Sequence, residues 1–397
     1  MPIASVVIPC YNAEHFVREA VASAQAQTVQ DIEIVCVNDG STDATLSVLH
    51  ELASEDARVR VIDQPNGGEG PARDAGLCAA TGDWLYFLDA DDLMEPGLLE
   101  EAIGACESCR ADLAVFRTVL LDAQTGEERV CTWSFDRSWT AEEWFCPREN
   151  PARLFNSFQN WVHNKLFRAS FVRKRGLRMQ HVHRTADLLF TCRALAEANR
   201  IALVDKPLHK YRVNNPHSAM QTSDSFPLDF YEGFVELRAS LERAGTWDLY
   251  HDSFVNWAIE GVFINLRHTR SLAGFLSIVD AMREEGLAKL DILDFPRSSS
   301  DMEFRYDMVR GIMDLSNEEI LFNYLAMFRT EANGAATKRS LLRLDLEQCT
   351  DELQEEQKKV QDLRDEIGTL VGSFSYKLGR SLTVVPRKAR DLLSPRR

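Results

Sequence analysis

The chain has 397 residues, of which 45% are hydrophobic and 27% charged, a composition typical of a globular protein with two folded units and an appendage. Its 61 acidic residues outnumber its 45 lysines and arginines, and the formal net charge is -16. This balance disfavours a nucleic-acid-binding protein, because such proteins need clustered basic side chains to neutralise phosphates. An acidic protein that handles anionic nucleotides needs a metal cation to offset the repulsion.

The amino terminus shows no pattern for export. Residues 1–5 lead directly into an apolar segment without the basic region of a signal peptide, and no segment approaches the ~20 apolar residues of a spanning helix. The nine cysteines are scattered through apolar segments, and the CxxC pair of Cys106 and Cys109 lacks a second pair and nearby histidine ligands. We therefore expect a cytoplasmic protein with reduced cysteines.

The first ninety residues alternate between strand and helix patterns. Strands are predicted at 3–9, 31–37, 58–62 and 84–88, and helices at 13–27, 44–53 and 71–80. This βαβα order predicts an α/β fold with a doubly wound, mostly parallel sheet and helices on both faces. Ligands bind at the carboxyl ends of such strands, and so the motifs that follow the strands should line one crevice.

Three carboxylates follow the fourth predicted strand, in the run Asp89-Ala90-Asp91-Asp92. Carboxylate oxygens suit Mg²⁺ and Mn²⁺, which keep part of their coordination shell for substrate phosphates. The run therefore predicts a divalent-metal site that holds a phosphate. The alternative is an acidic start to the next helix, because Asp commonly caps helices and Pro96 suits a first turn.

Polar and glycine-rich segments follow two other predicted strands. Asp39 offers only acceptors and suits the ring N–H of uracil or a similar base, on which Tyr11 could stack. Residues 66–73 form a glycine-rich segment before a helix, whose N-terminus suits an anion that Arg73 could reach. The alternatives are plain packing for Tyr11 and a turn at Asp39 in which Asp43 caps the next helix. The glycine-rich segment has neither a Walker lysine pattern nor GxGxxG, which disfavours ATPases and dinucleotide enzymes.

In this order, the four segments resemble the motifs of the family 2 inverting glycosyltransferases of GT-A fold, similar to those that build bacterial cell-surface polysaccharides. They are Val6-Val7-Ile8-Pro9-Cys10-Tyr11-Asn12, Val37-Asn38-Asp39-Gly40-Ser41-Thr42-Asp43, Asn66-Gly67-Gly68 with Ala72-Arg73, and Phe87-Leu88-Asp89-Ala90-Asp91-Asp92. Asn164-Lys165-Leu166-Phe167-Arg168 and Lys210-Tyr211-Arg212 with Ser218 extend the resemblance. It implies a GT-A (nucleotide-diphospho-sugar transferase) domain over residues 1–225.

The resemblance also implies a reaction. A sugar would pass from a nucleotide-sugar donor, expected to be a UDP-sugar, to a hydroxyl of a glycan or lipid-linked acceptor, with Mg²⁺ or Mn²⁺ on the diphosphate. By this resemblance Asp39 would contact the base, Asp89 the donor ribose or the metal, and Asp91 the metal. The other positions implied to bind the donor are Pro9, Tyr11, Asn12, Gly67 and Arg73.

Displacement with inversion also needs a base that takes the proton of the acceptor hydroxyl. The family usually places an acidic pair before an apolar run, and the matching residues are Ala186 and Asp187, so the first acid is missing. We expect Asp187 to be the general base. The alternative is an acid at the start of a helix over 188–198, where the helix dipole favours carboxylates. His181 and His183 are expected to be structural or solvent-facing, with positioning of the acceptor or ligation of the metal as the alternative.

We expect the stretch from Leu120 to Gln159 to recognise the acceptor. It contains Trp133, Trp139 and Trp144, which either stack on sugar rings or pack. The donor sugar and the acceptor hydroxyl are not specified by the sequence.

Three further segments follow the GT-A region. Residues 226–335 have helical periodicity and are predicted to form an α-helical domain without assigned chemistry. Residues 336–372 show a heptad register with Glu356 as its misfit, which predicts a coiled coil and a homodimer or partner helix, with a single solvated helix as the alternative. The seam consists of Leu342, Leu346, Cys349, Leu353, Val360, Leu363, Ile367 and Leu370.

Residues 373–397 are basic and amphipathic. Seven lysines and arginines oppose the single acid Asp391 and alternate with apolar residues. This composition suits an anionic bilayer and predicts peripheral contact with the inner face of the cell membrane. A disordered tail is the alternative, because Pro386 and Pro395 interrupt a continuous helix.

Two other classes of function stay open. A sugar nucleotidyltransferase would also use strand-end acids and a metal, but it should carry a basic glycine-rich loop near its N-terminus, where residues 8–12 are Ile-Pro-Cys-Tyr-Asn. A non-catalytic scaffold of the same fold would act through the coiled coil. The missing acid at Ala186 leaves room for the scaffold.

Overall fold

The computed structural model describes residues 2–215 and 224–372 and divides the chain into two compact units, residues 1–320 and 321–397. The first unit contains a ten-stranded sheet. Its strands are β1 (Ala4–Cys10), β2 (Ile32–Asp39), β3 (Val59–Gln64), β4 (Trp84–Phe87), β5 (Leu93–Met94), β6 (Leu113–Asp122), β7 (Glu128–Val130), β8 (Trp144–Phe145), β9 (Lys165–Arg168) and β10 (Ile201–Val213).

The α-helices are distributed over both parts of the chain. They are α1 (Val17–Gln25), α2 (Thr45–Glu55), α3 (Glu69–Ala79), α4 (Leu98–Cys109), α5 (Ala169–Arg175), α6 (Leu188–Glu197), α7 (Asp229–Arg243), α8 (Trp247–His268), α9 (Leu272–Ala281), α10 (Leu287–Lys289), α11 (Glu303–Arg310) and α12 (Asn317–Gly372). Within the first unit, α7 packs on α6 and α8 packs on α7.

The first four long strands form a parallel sheet in the order β3-β2-β1-β4. One face of this sheet packs on α1 and α2, in a core that includes Val6, Val17 and Leu49, whereas Val35 on the other face packs with Ala72 of α3. All eight residues of β2 are buried, which explains why its sequence lacks the alternation of a half-exposed strand. The predicted helices on both faces are therefore present.

The other half of the sheet is mixed, although its longest pairing, between β6 and β10, is parallel, as the prediction of a mostly parallel sheet requires. β9 lies antiparallel between β4 and β6, and β10 pairs in parallel with β6. Between β6 and β9 the described chain has only short strands and single helical turns instead of a crossover helix. Without a crossover, the chain re-enters the sheet in the reverse direction.

Two local predictions change in the structure. α1 begins at Val17 and not at residue 13, and the N–H of Ala13 donates to Oγ1 of Thr45, the first residue of α2, at 2.8 Å. The carboxylates after β4 lead into β5, whereas α4 begins only at Leu98. The alternative of an acidic helix start at these carboxylates was therefore wrong.

The carboxy-terminal predictions are tested only in part. α12 is continuous over 56 residues, and the seam residues Val360 and Leu363 are exposed. The other seam side chains and the basic tail of residues 373–397 lie outside the described residues, so both the coiled coil and the tail stay predictions. Among the described helices, none has the length and apolarity required to span a bilayer.

Close contact between α3 and the parallel strands gives a test of this packing. A Cβ on Gly76 would overlap Cγ1 of Val7 and lie 3.3 Å from Cγ2 of Val37, and valine cannot swing away at χ1. We expect Gly76→Ala to lower the free energy of unfolding by about 1–3 kcal/mol, measured by urea denaturation of the full chain.

The matched control for that substitution is Gly104→Ala on α4. A Cβ at Gly104 meets no atom within 4 Å, so we expect a gain of about 0.4–1 kcal/mol from the lost flexibility of the unfolded chain. Equal effects of the two substitutions would contradict the close packing of α3.

Candidate functional site

The carboxyl ends of β1, β2 and β4 meet at one edge of the sheet, because the three strands are parallel neighbours. At this edge Asn12 has a left-handed backbone (φ 48°), and its Oδ1 accepts the N–H of Thr42 at 2.8 Å. Asn12 thus joins the loops after β1 and β2. Pro9 is half-buried within β1, and the ring of Tyr11 is 53% exposed, which leaves the tyrosine free for a ligand.

Asp39, at the end of β2, holds the glycine-rich loop. Its two carboxylate oxygens accept the N–H groups of Gly67 at 2.9 Å and Gly68 at 2.8 Å. Gly68 adopts φ 92°, and a Cβ on Gly40 (φ 68°) would lie 2.6 Å from the N of Asn66. The glycines are therefore required both by backbone conformation and by the close approach of the two loops.

Of the three acids after β4, Asp89 has its negative charge most fully balanced by neighbouring side chains. Its carboxylate forms an ion pair with Arg73 of α3, and Nδ1 of His163 lies 3.5 Å from its other oxygen. Burial would raise the pKa of Asp89, but Arg73 and His163 hold that pKa below its ordinary range. Arg73 is 2% exposed and also pairs with Glu69, so its guanidinium forms ion pairs with two carboxylates of the protein.

The negative charges of Asp91 and Asp92 are less fully balanced by neighbouring groups, and their pKa values are raised. Burial and the charges of Asp92 and Asp89 raise the pKa of Asp91 to about 7, although Asn215 donates to its Oδ2 at 2.8 Å. Burial also raises the pKa of Asp92 to about 8, against the opposing effect of His163. The site therefore holds more carboxyl groups than its cations neutralise, which is the electrostatic condition for binding a metal ion.

Asp92 ends a buried chain of hydrogen bonds. The hydroxyl of Tyr86 donates to the backbone O of His163 at 2.9 Å, so Nδ1 of His209 is assigned as the donor to that hydroxyl, at 2.8 Å. Nε2 of His209 then faces Oδ2 of Asp92 at 3.0 Å, and one proton must lie between them. Burial lowers the pKa of His209 to about 3, which places this proton on Asp92.

His163 and His209 were not identified from the sequence. Their rings stack with centroids 4.3 Å apart, and with Asp92 they form a buried group whose ligand atoms lie within 4.8 Å of one another. Both histidines are adjacent to motifs that carried the family resemblance, because His163 precedes Asn164-Lys165 and His209 precedes Lys210-Tyr211. Only the long-range pairing of β9 and β10 with the rest of the sheet reveals their position beside the acids.

Asp187 lies at the amino-terminal cap position of α6, as its structural alternative predicted, but its side chain does not cap the helix. Oδ2 of Asp187 instead accepts the N–H of Val162 at 3.0 Å. Val162 is followed in the chain by His163, whose Nδ1 lies 3.5 Å from a carboxylate oxygen of Asp89. One short segment therefore contacts both the predicted base and a predicted metal ligand.

The missing acid at Ala186 has a packing explanation. Ala186 is fully buried, and a Cβ on Gly70 of α3 would come within 3.2 Å of the Ala186 Cβ. The space at this position therefore suits a methyl group. The two nearby histidines are mostly exposed, with His181 3.5 Å from Asp74 and His183 3.9 Å from Asp229.

Sequence comparisons find glycosyltransferases similar to this region. Residues 5–176 match the family model of Glycosyl transferase family 2. This match confirms the resemblance of the amino-terminal part of the chain to that family. "Uncharacterized glycosyltransferase EpsJ" of Bacillus subtilis is 31% identical over 227 residues, which cover 55% of this chain and 63% of EpsJ. Hyaluronan synthase of Pasteurella multocida is 42% identical over 100 residues, which cover 25% of this chain and 10% of the synthase.

Solved structures confirm the fold. The crystal structure of S. aureus TarS 1-349 in complex with UDP-GlcNAc has a TM-score of 0.54 and 21% sequence identity, and the match covers 78% of this chain and 90% of that one. The complex of the same fragment with UDP has a TM-score of 0.51 and 20% identity over the same shares. The GT-A fold followed by a helical region is therefore confirmed.

Lys165 gives a test of how the loop beside Asp187 is held. Its Nζ is fully buried and donates to the backbone O of Gln159 and Trp161, both at 2.7 Å, and to Oδ1 of Asn164 at 2.6 Å. Burial lowers the pKa of Lys165 to about 7, but three acceptors match the three N–H groups of the ammonium form. We expect Lys165→Met to cost about 3 kcal/mol in the free energy of unfolding, measured with urea.

The control for that substitution is Lys206→Met. Lys206 forms an exposed ion pair with Glu101, and its loss should cost at most about 1 kcal/mol. A loss of equal size in both variants would show that Lys165 does not anchor the loop.

Proposed function

We propose that the chain is a metal-dependent inverting glycosyltransferase that moves a sugar from a nucleotide-diphosphate sugar to an acceptor hydroxyl in cell-surface polysaccharide synthesis. The observation that carries the proposal is the segment of Val162 and His163, which contacts Asp187 at 3.0 Å and Asp89, one of the strand-end acids, at 3.5 Å. The strand-end acids provide a place for a metal-bound diphosphate, and Asp187 provides a base on the acceptor side. The match of residues 5–176 to the Glycosyl transferase family 2 model supports this reaction class.

The donor is proposed to be a UDP-sugar. The exposed ring of Tyr11 lies at the carboxyl edge of the sheet, beside the loop that Asp39 holds, and is available to stack on a base. TarS, which shares the fold, was solved with UDP and with UDP-GlcNAc. Asp39 keeps acceptor capacity for a base N–H, because its Oδ2 accepts only one bond, from Gly68, among those described.

The residues fit a divalent metal ion, because Asp89 and Asp91 offer oxygen ligands, and burial and the neighbouring acids raise the pKa of Asp91, which a bound cation would counteract. Asp91 and Asp89 would hold the ion. Mg²⁺ or Mn²⁺, when bound, would neutralise charge on the departing diphosphate. Arg73 keeps Asp89 ionised and in place, which prepares it for this role.

Asp187 is proposed to take the proton of the acceptor hydroxyl as the hydroxyl oxygen forms its bond to the anomeric carbon. The bond from that carbon to the phosphate oxygen breaks, and the electron pair leaves with the nucleoside diphosphate. The N–H of Val162 orients Oδ2 of Asp187 and leaves its other oxygen for the acceptor. The proton is retained on Asp187 until it is released to solvent.

The other functions have less support. The packing of Ala186 accounts for the missing acid, which weakens the main reason for a scaffold. No basic glycine-rich loop follows β1 to favour a nucleotidyltransferase. The acceptor is proposed to be a glycan or a lipid-linked saccharide, and dimerisation through residues 336–372 and membrane contact through residues 373–397 are proposed from composition alone.

Nucleotide binding tests the donor and metal site. We expect UDP to bind the protein measurably in calorimetry only when Mn²⁺ or Mg²⁺ is present, because the diphosphate would otherwise meet uncompensated carboxylates. Asp91→Asn should weaken this metal-dependent binding at least ten-fold, since it removes a charged ligand. UDP binding of unchanged affinity in EDTA would contradict the metal site.

Turnover tests the base. We expect Asp187→Asn to lower kcat by about 10²–10⁴-fold in a nucleoside-diphosphate release assay with a panel of nucleotide sugars and oligosaccharide acceptors, with UDP affinity unchanged. Asp248→Asn is the control, because Asp248 is an exposed acid in the first turn of α8. Full activity of Asp187→Asn would remove the assignment, and wild-type protein without turnover for any donor would overturn the enzyme proposal.

A further inference from the structure

A row of four rings in contact leads away from the carboxylates, and we call it the aromatic row. It consists of Trp133, Trp161, His163 and Tyr211. Trp133 meets Trp161 edge to face with centroids 5.3 Å apart, and Trp161 lies 5.0 Å from His163 and 5.5 Å from Tyr211. The rings of His163 and Tyr211 are stacked, 5.4 Å apart.

The aromatic row runs from solvent to the reaction site. Trp133 is 57% exposed, Trp161 and Tyr211 are half-buried, and His163 is buried 3.5 Å from Asp89. Val162, the neighbour of Trp161, donates its N–H to Asp187. A molecule that lies on the exposed end of the row therefore extends toward the proposed base.

Backbone hydrogen bonds fix the two tryptophans relative to each other. The N–H of Gln159 donates to the O of Ser134 at 3.0 Å, and this ties the turn that carries Trp133 to the loop that carries Trp161. Nζ of Lys165 also donates a hydrogen bond to the backbone O of Trp161. The surface is thus formed before any ligand arrives, which reduces the entropy cost of binding.

The other two tryptophans of the acceptor region have structural partners instead. Nε1 of Trp139 donates to the O of Asp136 at 3.1 Å, and its ring packs edge to face on Phe145. Trp144 pairs in β8, and the guanidinium of Arg200 lies 4.5 Å from its ring centroid. Packing accounts for these two rings, but it does not account for the exposed ring of Trp133.

We propose that Trp133 and Trp161 form the binding surface for an uncharged sugar ring of the acceptor, adjacent to the sugar whose hydroxyl reacts. This inference rests on the proposed function and deepens it by naming the acceptor subsite. The C–H groups of a pyranose face pack on the negative face of an aromatic ring. The inner end of the row, at His163, lies 3.5 Å from the carboxylate of Asp89, which disfavours an anionic occupant, whereas an uncharged sugar meets no such repulsion.

The test uses the full chain on a printed array of uncharged oligosaccharides of glucose, galactose, N-acetylglucosamine and N-acetylgalactosamine, with UDP and Mn²⁺ binding measured in parallel by calorimetry. We expect the wild type to retain at least one oligosaccharide. Trp133→Ala should weaken that binding at least ten-fold, and Trp133→Phe should weaken it less, because a ring is kept. UDP affinity should stay the same in both variants. Phe304→Ala is the control, since Phe304 on α11 is 56% exposed.

The outcomes separate the two proposals. Oligosaccharide binding that is equal in the wild type and Trp133→Ala, or a wild type that binds UDP but no oligosaccharide, would overturn the acceptor subsite. Oligosaccharide binding that depends on Trp133 without any UDP binding would keep the subsite and overturn the donor assignment.

Discussion

The site depends on one constraint, the crowding of three carboxyl groups within four residues at the end of a buried strand. Like charges in a medium of low dielectric constant cannot all ionise without compensation. Arg73 and His163 keep Asp89 charged, and Asp92 shares a proton with His209. Asp91 retains the least compensation, with a pKa raised to about 7. Each partner comes from a different part of the chain, so the sheet has to assemble before the acids are balanced.

The helix α3 links this electrostatic arrangement to the packing of the sheet. Arg73 reaches Asp89 because α3 lies almost in contact with β1 and β2, and the absence of a side chain at Gly76 permits that approach. On the same helix, Gly70 leaves room for the backbone of Gln180 and for Ala186, next to Asp187. Small residues on one helix thus bring the donor-side arginine and the base-bearing loop to the same edge.

Local patterns predicted the parallel part of the fold, because strand and helix periods depend on near neighbours in sequence. Asp89, Asp91 and Asp187 were selected from family motifs, and the segment of Val162 and His163 contacts both Asp187 and Asp89. His163 and His209 could not be selected in this way, since their place depends on β9 entering the sheet in reverse between β4 and β6. The start of α1 was misjudged for a similar reason, because the N–H of Ala13 is bound by Thr45 of α2, which is distant in sequence.

The hydrogen bonds of Lys165 affect how freely the sequence of the neighbouring loop, on the proposed acceptor side, can vary. Two of its three acceptors are main-chain carbonyls, at Gln159 and Trp161, and every amino acid supplies a carbonyl. The loop can therefore change its side chains while its path over the site is conserved. A single buried ammonium group allows the surface that meets the acceptor to vary independently of the carboxylates that serve the donor.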